Sequence, residues 1–333
     1  MRSRLANWLE QQWVRIGCWH ILLIPMSWLF WLLSTCRRKA YEFGVLKSYR
    51  SAVPLIVVGN ISVGGTGKTP LVIWLVERLK QAGFSPGIIS RGYGSKFDTP
   101  RTVGEGSRPG EFGDEPVLLA RRAHCPVWVG VDRVAVQQAL LRAQPQCNVI
   151  VSDDGLQHYR MQRDIELAVV DAERGFGNGQ LMPAGPLREP LSRLSTVDAV
   201  VYNDAGKNEH GKPEGFSMSL QGCMVRNLLE QGKTMQIADL QGRAVHAIAG
   251  IGNPQRFFQQ LRSMGLSVEA HPFTDHHDFR PEDLAFAGES MVLMTEKDAV
   301  KCAGFARPNW WYLPVDAEVD PVLADYIIRR LRK

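Results

Sequence analysis

Apolar positions along the chain fall into three regimes. From Ile16 to Leu33 they run almost unbroken for eighteen residues, with His20, Pro25 and Ser27 as the main interruptions. At ~1.5 Å per residue such a helix reaches ~27 Å, just short of a ~30 Å hydrocarbon core. From Pro54 the pattern alternates. Strand-like runs at 54–58, 86–90, 126–129, 147–152, 165–170 and 197–202 are joined, through the first four, by helical spacing at 70–82, 114–123 and 132–143. Strands alternating with helices predict an α/β fold with a largely parallel, doubly wound sheet. Residues 203–235 are polar and rich in Gly, Lys and Asn, and read as a connector or the entry to a second lobe. A second α/β run follows: strand Ala244–Ala249, a turn over Gly250–Pro254, helix Gln255–Met264, strand Ser267–Pro272, helix Pro281–Ala287 and strand Met291–Thr295. The expected segments are 1–50 (apolar and basic), 51–205 (core), 206–243 (connector) and 244–333 (smaller lobe).

Charge changes the picture mainly at the N-terminus. Of a net +5 over 333 residues, residues 1–50 carry +6, from eight Lys/Arg against two Glu, which leaves the remainder near −1. A nucleic-acid binder spreads a basic face over its folded body, so no nucleic-acid partner is expected. Positive charge beside an apolar run points to a membrane surface. Five of the nine tryptophans (Trp8, Trp13, Trp19, Trp28, Trp31) lie here, and Trp favours the interface. A cleaved signal peptide fits poorly, because no small-x-small site follows and Arg37-Arg38-Lys39 comes next. A buried core helix is the rival reading. Spanning and lying in the interface both stay open; Arg15 before the run, the basic cluster after it and Pro25 within it favour a shallow, monotopic anchor slightly, and on either reading the tribasic side is cytoplasmic. The six cysteines are scattered with no metal-ligand spacing, so reduced thiols and no zinc site are expected.

The most specific chemistry follows the first strand of the core. Ile56-Val57-Val58-Gly59 enters Gly64-Gly65-Thr66-Gly67-Lys68-Thr69, and Leu71, Trp74, Leu75 and Leu79 continue with helical spacing. This is the layout of a phosphate-binding loop, in which backbone N–H groups and a helix N-terminus surround phosphate oxygens. Lys68 would reach the β/γ-phosphates of ATP, and the Thr69 hydroxyl would hold Mg²⁺. Ser62 stands where the strict pattern has Gly. Strand 147–152 runs into Asp153-Asp154, where ligands collect in open α/β sheets, and an Asp there can hold Mg²⁺. Two adjacent acids would face opposite ways if the strand continued. Gln157 and His158 follow within a loop's reach of substrate.

Gly113-Asp114-Glu115-Pro116 opens a helical pattern. Asp114 reads equally as a helix cap and as the carboxylate that accepts a proton from an attacking hydroxyl. Asp275-His276-His277-Asp278 sets two histidines between two acids, open to general-base, orienting or metal-binding roles. Arg91, Arg133 and Arg188 occupy loops or helix starts where guanidinium groups can meet phosphate. Thr295-Glu296-Lys297-Asp298 departs from a guanine-reading motif by the adjacency of its Lys and Asp, so GTP is not inferred.

Taken in order, these motifs, with Ser90-Arg91-Gly92-Tyr93-Gly94, Asp153-Asp154-Gly155-Leu156-Gln157-His158, Pro183-Ala184-Gly185-Pro186-Leu187-Arg188-Glu189 and Thr295–Lys301, resemble the tetraacyldisaccharide 4′-kinase family over nearly the whole chain. The resemblance implies ATP- and Mg²⁺-dependent phosphorylation of the 4′-hydroxyl of a tetraacyldisaccharide 1-phosphate in lipid A biosynthesis. It also implies a P-loop core with a smaller C-terminal α/β lobe, and attachment at the cytoplasmic face of the bacterial inner membrane with no obligate protein partner. By the same resemblance Asp114 is the base, assisted by His276 in preference to His277. Lys68 and Arg188 act on the transferring phosphoryl group, Asp153 and Asp154 belong to the metal site, and Arg91, Glu115, Arg133, Gln157, His158 and Glu189 support it. The Ser62 variant resembles the family's own loop. The rival from another class is a membrane-associated P-loop ATPase that works as a switch or chaperone without a phosphoacceptor.

Overall fold

The computed structural model describes residues 13, 16–92, 97–204, 215–230 and 232–332. Trp8, Arg15, Tyr93 and Gly94 lie outside the described residues.

The central strands are β1 (Leu55–Gly59), β2 (Pro86–Ser90), β4 (Val127–Val129), β5 (Val149–Asp153), β6 (Ile165–Asp171), β7 (Ala199–Asn203) and β8 (Phe216–Gln221), all paired in parallel. Antiparallel β3 (Arg101–Val103) and β15 (Asp316–Val319) close the two edges, giving the order β15-β8-β7-β6-β1-β5-β2-β4-β3. Alternation along β1 explains the two-sided core. Ile56 and Val58 pack with α2 (Lys68–Gln81), α4 (Asp114–Ala123) and α8 (Pro321–Leu331), with Phe112 of the short α3 (Pro109–Phe112) at the margin, while Leu55 and Val57 pack with α5 (Arg133–Ala143). Because β1 lies between β5 and β6, the strand order reverses there, and the loop after β1 opens at a switch point of the sheet.

A second, six-stranded sheet has the order β10-β9-β14-β13-β11-β12, from β9 (Met224–Asn227), β10 (Thr234–Gln236), β11 (Ala244–Ala249), β12 (Ser267–Pro272), β13 (Val292–Thr295) and β14 (Trp310–Leu313). Helices α6 (Pro254–Ser263) and α7 (Glu296–Cys302) accompany it. Two features refine the pattern reading. The polar stretch 203–235 is more than a connector, since β8 joins the first sheet and β9 and β10 the second. The helix expected over Pro281–Ala287 is present with those bounds, as a 3₁₀ helix. Pro281 starts it, Gly288 in a left-handed conformation ends it, and so short a segment gains little from α-type bonding.

The N-terminal run becomes α1 (His20–Glu42), which continues past the apolar residues so that Arg37-Arg38-Lys39 lie within its last turns, near the negative end of the helix dipole. Its polar interruptions have a use. His20 Nε2 lies 3.0 Å from the Ala184 carbonyl, and the Ser27 hydroxyl donates to the Leu181 carbonyl at 2.8 Å and accepts from the Ala184 N–H at 3.0 Å. These two buried residues, seven apart, fasten one side of α1 to the 178–186 loop. The other side leaves Ile21, Leu22, Trp28, Leu29 and Leu33 more than half exposed.

Candidate active site

Three cavities meet at the carboxyl edge of the large sheet. A cleft of about 1090 Å³ runs from the phosphate loop to the loop Thr274–Asp278 of the second lobe. A smaller one of about 190 Å³ lies between the loop, Asp171 and Asn203 on one side and Asn253, Arg256 and Phe257 on the other. The third, about 580 Å³, is walled by Phe30, Leu33, Arg37 and Arg38 of α1 and reaches Arg91, His158 and Arg188. Glu115 lines all three, and Asp154 and Arg188 are shared by the first and third.

The phosphate loop is shaped by close approaches. Gly67, the N-cap of α2, has φ 91°, and a Cβ there would meet Asn203 Nδ2 at 2.4 Å, so any side chain at this position would be strained. Lys68 Nζ lies 3.4 Å from Asn60 Oδ1 and 3.6 Å from Asp154. Asn60 also donates to the Gly64 carbonyl, bracing the loop from inside.

The paired acids part company because β5 ends at Asp153 and Asp154 turns left-handed, with φ 49°. Asp154 therefore meets Lys68 and Arg188, the latter at 3.3 Å. Burial would raise its carboxyl, but Lys68, Arg188 and Arg133 outweigh burial and hold it well below the usual range. Asp153 stays buried against the sheet, with Oδ2 3.4 Å from the Ser90 hydroxyl and Oδ1 without a hydrogen-bond partner. Burial first, then the negative charges of Glu115 and Asp154, push its carboxyl up.

Asp114 occupies the first turn of α4, and Gly113, not Asp114, is the cap residue. Its carboxylate accepts from the Glu115 N–H at 2.9 Å and from His276 Nδ1 at 3.0 Å. Capping-type bonding and pairing with histidine therefore coexist in one side chain. His276 reaches it from the opposite lobe through a left-handed backbone, φ 58°. Lys297 lies 3.8 Å from Asp114, 3.0 Å from Glu115 and 3.7 Å from Asp275. Burial would raise the Asp114 carboxyl, but the His276 bond and the charges of Lys297 and Lys301 hold it well below the usual carboxylate range. His276 is raised in turn, chiefly by the same bond. Removing the partner weakens that hold. In His276→Ala only Lys297 and Lys301 are left to oppose burial, so the Asp114 carboxyl rises and the acid limb of the pH–rate profile moves toward alkaline pH. A pH profile of kcat/KM measures this, and an unmoved limb would refute the coupling.

Other sequence candidates take different places. His277 turns away from Asp114, contacting Asp283 at 2.9 Å and packing against Phe273 and Phe279. Arg133 does not reach into the phosphate cleft. It is buried beneath the site, donating to the carbonyls of Ile89 and Asp153 at 3.2 and 3.0 Å, which ties the ends of β2 and β5 together. Gln157 bridges the Asn60 carbonyl and Glu189, and Glu189 is further held by Tyr159 and Arg193, so both brace the loop that carries Arg188. His158 and Arg91 line the cavity under α1, and burial together with Arg133 and Arg91 pushes the His158 imidazole down to about 4. Asn203, Arg256 and Asp171 stand outside the motifs named above, and Lys297 appears there only within Thr295–Lys301, without a role. Asp171 and Asn203 end β6 and β7, a strand-end position that could have marked them.

The family model described as Tetraacyldisaccharide-1-P 4'-kinase matches residues 19–332. A relative from Methylobacillus flagellatus called "Tetraacyldisaccharide 4'-kinase" is 53% identical over 333 residues, covering 100% of this chain and 98% of its own. One of the same name from Dechloromonas aromatica is 48% identical over 342 residues, covering 98% of each. Among solved structures, the "apo" form of LpxK from Aquifex aeolicus in complex with ATP superposes with a TM-score of 0.76 at 31% identity, covering 92% of this chain and 98% of that one.

Proposed function

The chain belongs to the tetraacyldisaccharide-1-P 4'-kinase family, and from that premise we propose how its own residues carry the reaction. The protein is an ATP-dependent kinase that transfers the γ-phosphate to the 4′-hydroxyl of a tetraacyldisaccharide 1-phosphate in lipid A biosynthesis. The observation that carries the proposal is the junction of cavities: Asp154, Arg188 and Glu115 line both the cleft at the phosphate loop and the cavity walled by α1. A nucleotide held in the first and a lipid headgroup held in the second would meet there.

ATP lays its phosphates on Gly64–Thr69, with Lys68 released from Asp154 to the β/γ-phosphates. The small cavity of Asn203, Asn253, Arg256 and Phe257 takes the nucleoside. Asp114 accepts the proton of the 4′-hydroxyl as that oxygen bonds to the γ-phosphorus, and the bond from phosphorus to the β,γ-bridging oxygen breaks to release ADP. His276 keeps the carboxylate ionised and aimed, and Arg188 and Lys68 offset charge on the transferring group.

The residues also suit Mg²⁺. Asp153 offers a buried, unpartnered carboxylate oxygen and Thr69 a hydroxyl in the first turn of α2, a hard-oxygen set. When bound, the ion would neutralise phosphate charge, and it would also favour the ionised form of Asp153.

Purified protein with ATP, Mg²⁺ and the disaccharide acceptor should yield ADP and phosphorylated lipid in equal amounts. ADP without phosphorylated lipid would instead support a switch-type ATPase.

The exposed apolar side of α1 supports attachment at the cytoplasmic face of the inner membrane, where an acylated acceptor resides. Its basic last turns suit anionic headgroups. Leu22→Glu with Leu29→Glu should reduce pelleting with anionic vesicles by about tenfold or more, since burying one such side chain contributes ~1.5–3 kcal/mol. Unchanged pelleting would count against this face as the contact.

A further inference from the structure

None of His246, Glu269 and His271 lines any of the three cavities. Strands β11 and β12 pair in parallel with His246 opposite Glu269, and His271 stands two residues further along, so all three side chains share one face of the second sheet. Their polar atoms converge. His246 Nδ1 lies 3.1 Å from His271 Nε2 and 3.4 Å from Glu269 Oε2, and His271 Nε2 lies 3.5 Å from Glu269 Oε1. Ligands at ~2.0–2.1 Å from a tetrahedral ion are separated from one another by about 3.3–3.4 Å. The three observed separations bracket that value.

From this geometry we propose that His246, Glu269 and His271 form a binding site for a divalent transition metal of the zinc class, with its fourth position open to water. Two imidazoles and one carboxylate suit zinc, cobalt, nickel or copper, whereas Mg²⁺ demands an oxygen shell. The ring of Phe286 stacks on His271 at 3.9 Å and meets His246 edge-on at 5.4 Å, fixing both rings and covering one side. The Glu269 side chain is 67% exposed, which leaves the other side open to solvent. Burial, helped by His246, lowers the His271 imidazole, favouring the neutral form that ligates. The ion would clamp edge strand β12 to β11. The rival account of the same contact is a neutral imidazole pair sharing one proton, which needs no ion. A reading built on cysteine spacing has no means of seeing this site, because its ligands are brought together only by strand pairing.

The test uses the full-length, EDTA-stripped protein with ADP and excess Mg²⁺, so that hard-oxygen sites are filled. Zn²⁺ is titrated against a chromophoric chelator and Co²⁺ by its visible d–d bands, alongside His246→Gln with His271→Gln, and separately Glu269→Gln. The expected result is one equivalent per chain with tetrahedral cobalt bands and a zinc-induced rise in melting temperature. The double variant should bind about 100-fold more weakly and lose that rise, with kinase turnover unchanged within about twofold. Should the double variant misfold, Glu269→Gln decides. Even outer-shell groups cost tenfold or more in affinity, so loss of this direct ligand should cost at least about tenfold. Equal binding by wild type and variants, or a thiolate-to-cobalt charge-transfer band, would overturn the site.

Discussion

Asp114→Asn should lower kcat for phosphate transfer to the lipid disaccharide by about 10³-fold, while the Kd for ATP should stay within about threefold. General-base contributions run to ~10²–10⁴, and Asp114 is the carboxylate that pairs with His276 across the two lobes, beside the phosphate-loop end of this cleft. The substitution is a clean one. An amide oxygen can still accept from the Glu115 N–H, and Lys297 and Lys301 keep Glu115, Asp275 and Asp298 as counter-charges. Loss of folding is therefore a poor explanation for loss of rate. Single-turnover transfer with radiolabelled ATP, beside ATP binding by calorimetry, separates the two quantities. A residual kcat within tenfold of wild type would remove Asp114 from the role of base.

Lys68→Met should cost about 10²–10³ in kcat/KM for ATP, comparable with removing one preorganised donor to developing charge. Lys68→Arg should not restore it. A planar guanidinium cannot replace a compact ammonium in a site where Asn60 and Asp154 already stand at 3.4 and 3.6 Å. The change also removes the cation that does most to hold Asp154 below its usual range, leaving Arg188 and Arg133. If kcat and the KM for ATP both stayed within threefold, Lys68 would not be the phosphate-binding lysine.

The fold was legible wherever local pattern decides it. Strand Ala244–Ala249 and helix Asp114–Ala123 fall where alternation and helical spacing put them, because each buries its side chains against a neighbour in the expected period. What eluded the pattern was partnership. The stretch 203–235 looked like a connector because its strands are short and polar, yet β8 finds a place beside β7 and β9 beside β14. His20 and Ser27 read as breaks in an apolar run, and only the 178–186 loop reveals them as its fastening. The site divides similarly. Gly64–Thr69 and Asp153-Asp154 announce phosphate chemistry from their own sequence. The choice of His276 over His277 turns on one left-handed residue, and Arg133 looks like a phosphate ligand until its burial is seen. Arg256 and Asn203 carry no motif, and Lys297 sits in one without a role, since two lobes must come together to give them a purpose.

The last strand of the large sheet has a consequence for biogenesis. Asp316 pairs with Gln221, and Leu323 and Ile327 of α8 fill the same core as β1 and α2. Topologically, the second lobe is thus an insertion within the first. A nascent chain emerging from the ribosome cannot complete the large sheet until everything through α8 has been made, and until then β8 presents an open edge. Such long-range closure raises contact order and slows folding. The inserted lobe, whose strands all lie between residues 224 and 313, can assemble earlier and bring the two ends of its insertion together. A chain stopped after β14 would hold that lobe whole and leave the nucleotide-binding sheet unfinished.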